Sequence, residues 1–150
     1  LYRLDQCLCL MGEKVNEENL RDAVYKTEAD LGFNLVDFSV YANHHASPMR
    51  YVFLMEVEDM PDDITKKLVH ETLNEHFCAT DPVLCYKIQR GLLEKAEVYF
   101  LQPETYMFYK ELMVARGASS SQVKPPRILC DEPAIRFFNV LREDEDDELD

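Results

Sequence analysis

Two lysines stand where a cation could do chemistry. Lys14 follows Gly12 at a bend and comes just before a helix start at Asn16, where free backbone N–H groups already favour an anion. Lys124 lies in GASSSQVKPPR, residues 117–127, a run of small residues that stops at Pro125-Pro126. Proline confines the residue before it to extended conformations, so the Lys124 backbone is held while the serine run ahead of it keeps its freedom. A mobile loop carrying a cation of fixed direction suits a lid that closes over an anion. The same residues also read as a solvated turn lysine and an ordinary surface loop, because exposed lysine is common in both settings.

Other chemistries find little support. The chain carries no Gly-rich phosphate loop, GxSxG elbow, HExxH or paired zinc half-site. His44, His45, His70 and His76 have no serine or cysteine at a spacing that would make a nucleophile pair, so they read as structural or exposed. The five cysteines, Cys7, Cys9, Cys78, Cys85 and Cys130, form no regular framework, which points to free thiols in a reducing, intracellular compartment. Cys7-x-Cys9 with His76-x-Cys78 matches no standard zinc spacing, and small buried hydrophobes are the simpler reading.

The 150 residues are enough for one domain, and 47% hydrophobic with 30% charged residues is enough to bury a core and keep it solvated. Residues 143–150, EDEDDELD, hold seven acidic groups and supply about half of the net charge of −13. A tail of that charge density repels itself and is expected to be disordered, with 139–150 as its span and 1–138 as the folded domain. The remaining body has scattered lysines and arginines but no dense basic face, which excludes nucleic acid as a default partner. No apolar run is long enough for a membrane span.

The elements that must hold the two lysines can be read from spacing. Leu1 to Met11 reads as extended up to the Gly12 bend. Asn16 as cap, then Glu17, Glu18 and the series Leu20, Ala23, Val24, Thr27 and Leu31, predict a helix over 17–31 ending at Gly32. Residues 34–42, with Val36, Phe38 and Val40 on one face, and residues 50–58 predict an antiparallel hairpin. Pro61-Asp62-Asp63 opens a second helix whose buried face is expected at Ile64, Leu68 and Thr72, ending at Phe77. Residues 82–92 allow a short helix, 96–101 a strand, and Pro103-Glu104 opens a helix with Tyr106, Tyr109, Leu112 and Met113 on one side, closed by Gly117. The fold class is α+β, with helices covering a small mixed sheet.

Arg3-x-Asp5-Gln6 followed by Gly12-Glu13-Lys14 and Glu17-Glu18 resembles the hinge motif of adenylate-forming enzymes. ARGASSSQVKPPR resembles the Gly-Ala-Ser…Gln-x-Lys-x-Pro-Arg segment that closes the Gretchen Hagen auxin-responsive acyl-amido synthetase family. Leu1-Tyr2-Arg3-Leu4 with Gln6 and Leu8 is similar to the animal branch, which would allow the endoplasmic reticulum or nuclear envelope as a location. The resemblance implies ATP-dependent activation of a carboxylic acid to an acyl-adenylate, with Mg2+ accompanying the nucleotide, then attack by an amino-acid amine to give an amide. The nucleotide and acid sites would lie in an N-terminal adenylating domain. This chain would be the C-terminal lid, with residues 1–14 as its hinge side, inactive alone and binding no ATP alone. By the same resemblance Lys14 and Arg3 would meet the nucleotide, and Lys124 would approach the reacting phosphate and carboxylate. The alternative is a non-catalytic interaction domain that keeps the fold.

Overall fold

The computed structural model describes residues 7, 8 and 12–143. Strand β1 (Cys7–Leu8) pairs antiparallel with β2 (Val15–Asn16), joining Cys7 to Asn16 and Leu8 to Val15. The rest of the expected first strand lies outside the described residues. Asn16 then caps α1 (Glu17–Leu31): its side chain accepts from the Asn19 N–H, and the Asn19 side chain accepts from the Asn16 N–H, both at 2.9 Å. Gly32, at φ +79°, closes the helix by donating to the Glu28 carbonyl, a left-handed conformation that a side chain would strain.

The main sheet has three strands. β3 (Leu35–Asn43) and β4 (Arg50–Val57) form the expected antiparallel hairpin, and β5 (Glu97–Phe100) lies parallel to β4. Parallel pairing requires a long crossover, which α2 (Asp63–Ala79) and α3 (Pro82–Gln89) provide. α4 (Thr105–Ala115) and α5 (Glu132–Val140) complete the chain. On the free edge of β3, the Val40 N–H donates to the Arg127 carbonyl at 2.8 Å and the Leu129 N–H to the Val40 carbonyl at 2.9 Å. The segment after Lys124 is thereby stitched to the sheet.

Three layers result, with β4 buried on both faces. Phe38, Val40, Tyr51, Phe53 and Met55 meet Leu20, Val24, Val69, Leu73, Phe77 and Leu84 from α1, α2 and α3. Val52 and Leu54 on the other face meet Tyr106 of α4 and Phe138 of α5. Such a strand reads as a continuous apolar run, as RYVFLMEV does. Asn74 ties α2 to the sheet by donating to the Ala96 carbonyl at 3.0 Å and accepting from the Ala96 N–H at 2.8 Å.

Four expectations need correction. The buried face of α2 is Val69, Leu73 and Phe77, whereas Ile64 is 80% exposed; the edge-to-face packing of Phe77 on Tyr51 and Phe53 sets the helix phase one residue away. Val36 points outward because the β3–β4 register shifts between Leu35 and Asp37, and such a bulge moves the side chains before it to the opposite face. α5, capped by Asp131 accepting from the Ala134 N–H at 2.8 Å, is an element beyond the expected order. Finally, the tail does not begin at 139. Asn139 donates to the Tyr41 hydroxyl, Arg142 stacks 3.5 Å from the Tyr99 ring centroid, and Glu143 pairs with Lys66 at 2.7 Å. The remainder of the acidic run, 144–150, lies outside the described residues.

Candidate functional site

Lys14 sits between a buried neighbour on each side. Glu13 and Val15 are fully buried, and the Tyr51 hydroxyl donates to the Glu13 carboxylate, so the backbone at 13–15 is fixed from within the core. Gly12 supplies the bend at φ +94°, a left-handed conformation that a side chain would strain, and the Lys87 ammonium lies 3.2 Å from where a Cβ would stand. The Lys14 side chain is exposed and makes no hydrogen bond or ion pair with the described residues.

Lys124 is likewise exposed and likewise unpaired among the described residues. The stretch on its C-terminal side, by contrast, is anchored in depth. The Ser39 hydroxyl donates to the Pro126 carbonyl and accepts from the Tyr106 hydroxyl at 2.7 Å. Burial pushes the Tyr106 phenol well above its ordinary pKa, so it stays a donor throughout the neutral range. The Arg127 guanidinium pairs with Asp37 at 2.6 Å, donates to the Phe38 carbonyl and lies 4.0 Å from the Phe38 ring centroid. Its Nε has no hydrogen bond and faces Glu17 at 3.9 Å, and Glu17 also pairs with Arg21 at 3.2 Å.

The two predicted lysines are therefore not in contact, but one ion network joins the segments that carry them. Glu17 is three residues after Lys14, and Arg127 is three after Lys124. Arg3, the third predicted residue, lies outside the described residues. The sequence reading missed the network itself. Its signals were present: Asp37 within an apolar strand, and Arg127 closing the Pro-Pro stop.

A second concealed carboxylate supports α4. Glu56, 5% exposed on β4, accepts from the Glu104 N–H at 2.8 Å and the Tyr106 N–H at 2.9 Å. It caps a helix that has no side-chain cap of its own, and Glu104 enters that helix at φ 69°.

Neither lysine lines either of two clefts formed by described residues. One, of about 500 Å³, is bounded by His70, Asn74, Cys78, Ile88 and Lys95; another of about 400 Å³ is bounded by Tyr41, His44, His45, Cys130 and Glu132. No cluster of three His, Cys, Asp or Glu that could hold a metal occurs among the described residues. His76 is engaged structurally, 2.7 Å from Asp30 of α1. Burial, reinforced by a hydrogen bond with Cys85, pushes the Cys78 thiol up to about 12, which makes it inert at neutral pH. What the two lysine-bearing segments offer is ammonium groups that no described residue engages, a means of stabilising negative charge.

The family model for the GH3 family C-terminal domain matches residues 18–133. The chain belongs to this family. It is 28% identical over 146 residues to the 4-substituted benzoates-glutamate ligase GH3.12 of Arabidopsis thaliana, covering 89% of this chain and 25% of that protein. It is 26% identical over 142 residues to a protein of Oryza sativa subsp. japonica named "Probable indole-3-acetic acid-amido synthetase GH3.7", covering 89% of this chain and 23% of that one. The chain thus spans about a quarter of the length of these relatives. A solved GH3.15 acyl acid amido synthetase shares the fold at a TM-score of 0.80 and 22% identity, over 93% of this chain and 26% of the other. The α+β architecture is that of a GH3 C-terminal domain. Lys124 falls inside the matched span, and Lys14 falls just before it.

Proposed function

We propose that this GH3 C-terminal domain acts as the lid of an ATP-dependent, acyl-adenylating acid-amido synthetase-like protein. It would close over the nucleotide site of an N-terminal domain of the same chain. The observation that carries the reading is Lys124: an ammonium with no partner among the described residues, within the family span, on a segment pinned to the sheet. In the first half-reaction a substrate carboxylate oxygen bonds to the α-phosphorus of ATP and pyrophosphate leaves. In the second an amino-acid amine attacks the acyl carbon, AMP leaves and the amine gives up a proton. Both steps crowd negative charge around the α-phosphate. A preplaced cation that meets this charge only in the transition state contributes on the order of 3 kcal/mol.

Lys14 would reach the nucleotide from the hinge side, and Arg3 is the second residue proposed to contact it. Mg2+ is implied by the same resemblance, but the described residues converge no acidic cluster that fits it, and neither half-reaction is routed through it. A reducing, intracellular location belongs to the proposal and is supported by the free thiols of Cys78 and Cys85. The relatives matched are plant proteins and lend no support to an animal branch. The test is acid-dependent exchange of pyrophosphate into ATP by the full-length protein. Exchange that needs a carboxylic acid supports the lid; its absence across a panel of aromatic and aliphatic acids favours a non-catalytic interaction domain.

A further inference from the structure

Among the described residues nothing holds the Lys124 ammonium, yet a useful cation must arrive at one place. The chain from Lys124 to Pro126 is stiff: each proline fixes its own φ and restricts the residue before it, which gives an extended rod. At about 3 Å per residue the three residues span roughly 9 Å. A rod aims only as well as its base is clamped, and a swing of about 10° over that length displaces its tip by roughly 1.5 Å. Misplacement on that scale costs on the order of a hundredfold in rate when geometry is what catalysis supplies.

The base of this rod is Arg127, which several contacts clamp at once. Its guanidinium meets Asp37 at 2.6 Å, donates to the Phe38 carbonyl and stacks on the Phe38 ring, while its own carbonyl accepts from Val40. The Arg127 and Asp37 side chains are each about one-fifth exposed, so the pair is screened less than a surface bridge. Both bonds leave from Nη1, while the buried Nε faces Glu17 at the start of α1, three residues beyond Lys14.

From this we infer that Arg127 is a positioning residue. Held by Asp37 and facing Glu17, it aims Lys124 from a base fixed to the sheet and to the start of α1. The inference rests on the lid reading for the target of Lys124, whereas the clamp itself is a property of this domain.

The experiment compares Lys124→Ala, Arg127→Gln, Arg127→Lys and the double variant Lys124→Ala/Arg127→Gln in the full-length protein by pyrophosphate exchange. Hydrogen exchange is followed in the same proteins. Arg127→Gln should lower kcat roughly ten- to a hundredfold with KM for ATP within about twofold. Arg127→Lys should recover only part, since an ammonium keeps the charge beside Asp37 but loses the planar face stacked on the Phe38 ring and the Nε that faces Glu17. The double variant should be no slower than Lys124→Ala alone, because Arg127 acts through Lys124. Amide exchange at Val40 and Leu129 should quicken about tenfold in Arg127→Gln, with α2 unchanged as the control for folding. A silent Arg127→Gln overturns the inference, as do losses that multiply in the double variant. Should Lys124→Ala itself leave exchange intact, the lid reading fails. The clamp is then judged by hydrogen exchange, where unchanged protection at Val40 and Leu129 refutes it.

Discussion

Removing the Glu56 carboxylate should loosen α4 and, through it, the support of Lys124. Glu56 lies on the central strand, 5% exposed, and accepts hydrogen bonds from the Glu104 and Tyr106 N–H groups. In Glu56→Ala the Tyr106 N–H is left buried without its acceptor, and the Glu104 N–H turns to water because that residue is exposed. One charge-assisted hydrogen bond is worth about 1.5–3 kcal/mol, and an anion at a partly buried helix N-terminus up to about 2 kcal/mol. The two overlap, so the net loss is about 3 kcal/mol. Over a chain of this size that lowers Tm by roughly 10 °C. Glu56→Gln keeps one acceptor oxygen and turns a donor toward the other N–H, and it should cost about half as much. Urea unfolding of the chain and its variants, followed by circular dichroism, reads both values. A loss below about 1 kcal/mol in Glu56→Ala would mean that α4 does not depend on this cap and would refute the reasoning.

Alkaline stability depends on Tyr106. Burial raises its pKa above the unfolded value near 10, so its contribution is complete below about pH 10 and is lost as pH climbs toward the folded pKa. Tyr106→Phe should cost about 1 kcal/mol at neutral pH for the lost bond to Ser39 and then decline less steeply above about pH 10. Equal slopes in midpoint-against-pH measurements would contradict this. Truncation after Phe138, compared with truncation after Glu143, should lower stability by about 3 kcal/mol, since it removes the Asn139–Tyr41 bond, the Arg142–Tyr99 stack and the Glu143–Lys66 pair. Equal melting temperatures would show that the last turn of α5 contributes nothing.

Most of the scaffold was legible because periodicity and caps are local. Leu20, Ala23, Val24 and Thr27 lie buried on one face of α1 as their spacing required, Asn16 caps the helix, and the hairpin of β3 and β4 pairs as its alternation implied. Where the reading failed, a tertiary contact decided. The phase of α2 depends on Phe77 meeting Tyr51 and Phe53, which come from a strand ahead of it in the chain. The outward turn of Val36 depends on a bulge that periodicity does not announce. α5 was hidden by the acidic run beside it, although Asp131 followed by Glu132-Pro133 is a helix start. For the site, the lysines could be singled out by their loops, but the Asp37–Arg127–Glu17 network spans more than 100 residues of sequence, and no local pattern predicts a partner so distant.

We propose that Lys124 serves the chemistry of an adenylating protein from a clamped loop. The most direct measurement is acid-dependent pyrophosphate exchange by the full-length protein carrying Lys124→Ala, together with its ATP affinity by calorimetry. Loss of an interaction made in the transition state, worth on the order of 3 kcal/mol, predicts exchange slowed about a hundredfold with ATP affinity within roughly twofold of the parent. The fold should be untouched, because an exposed loop lysine carries about 0.5 kcal/mol of stability or less. Exchange at the parental rate in Lys124→Ala would contradict the account.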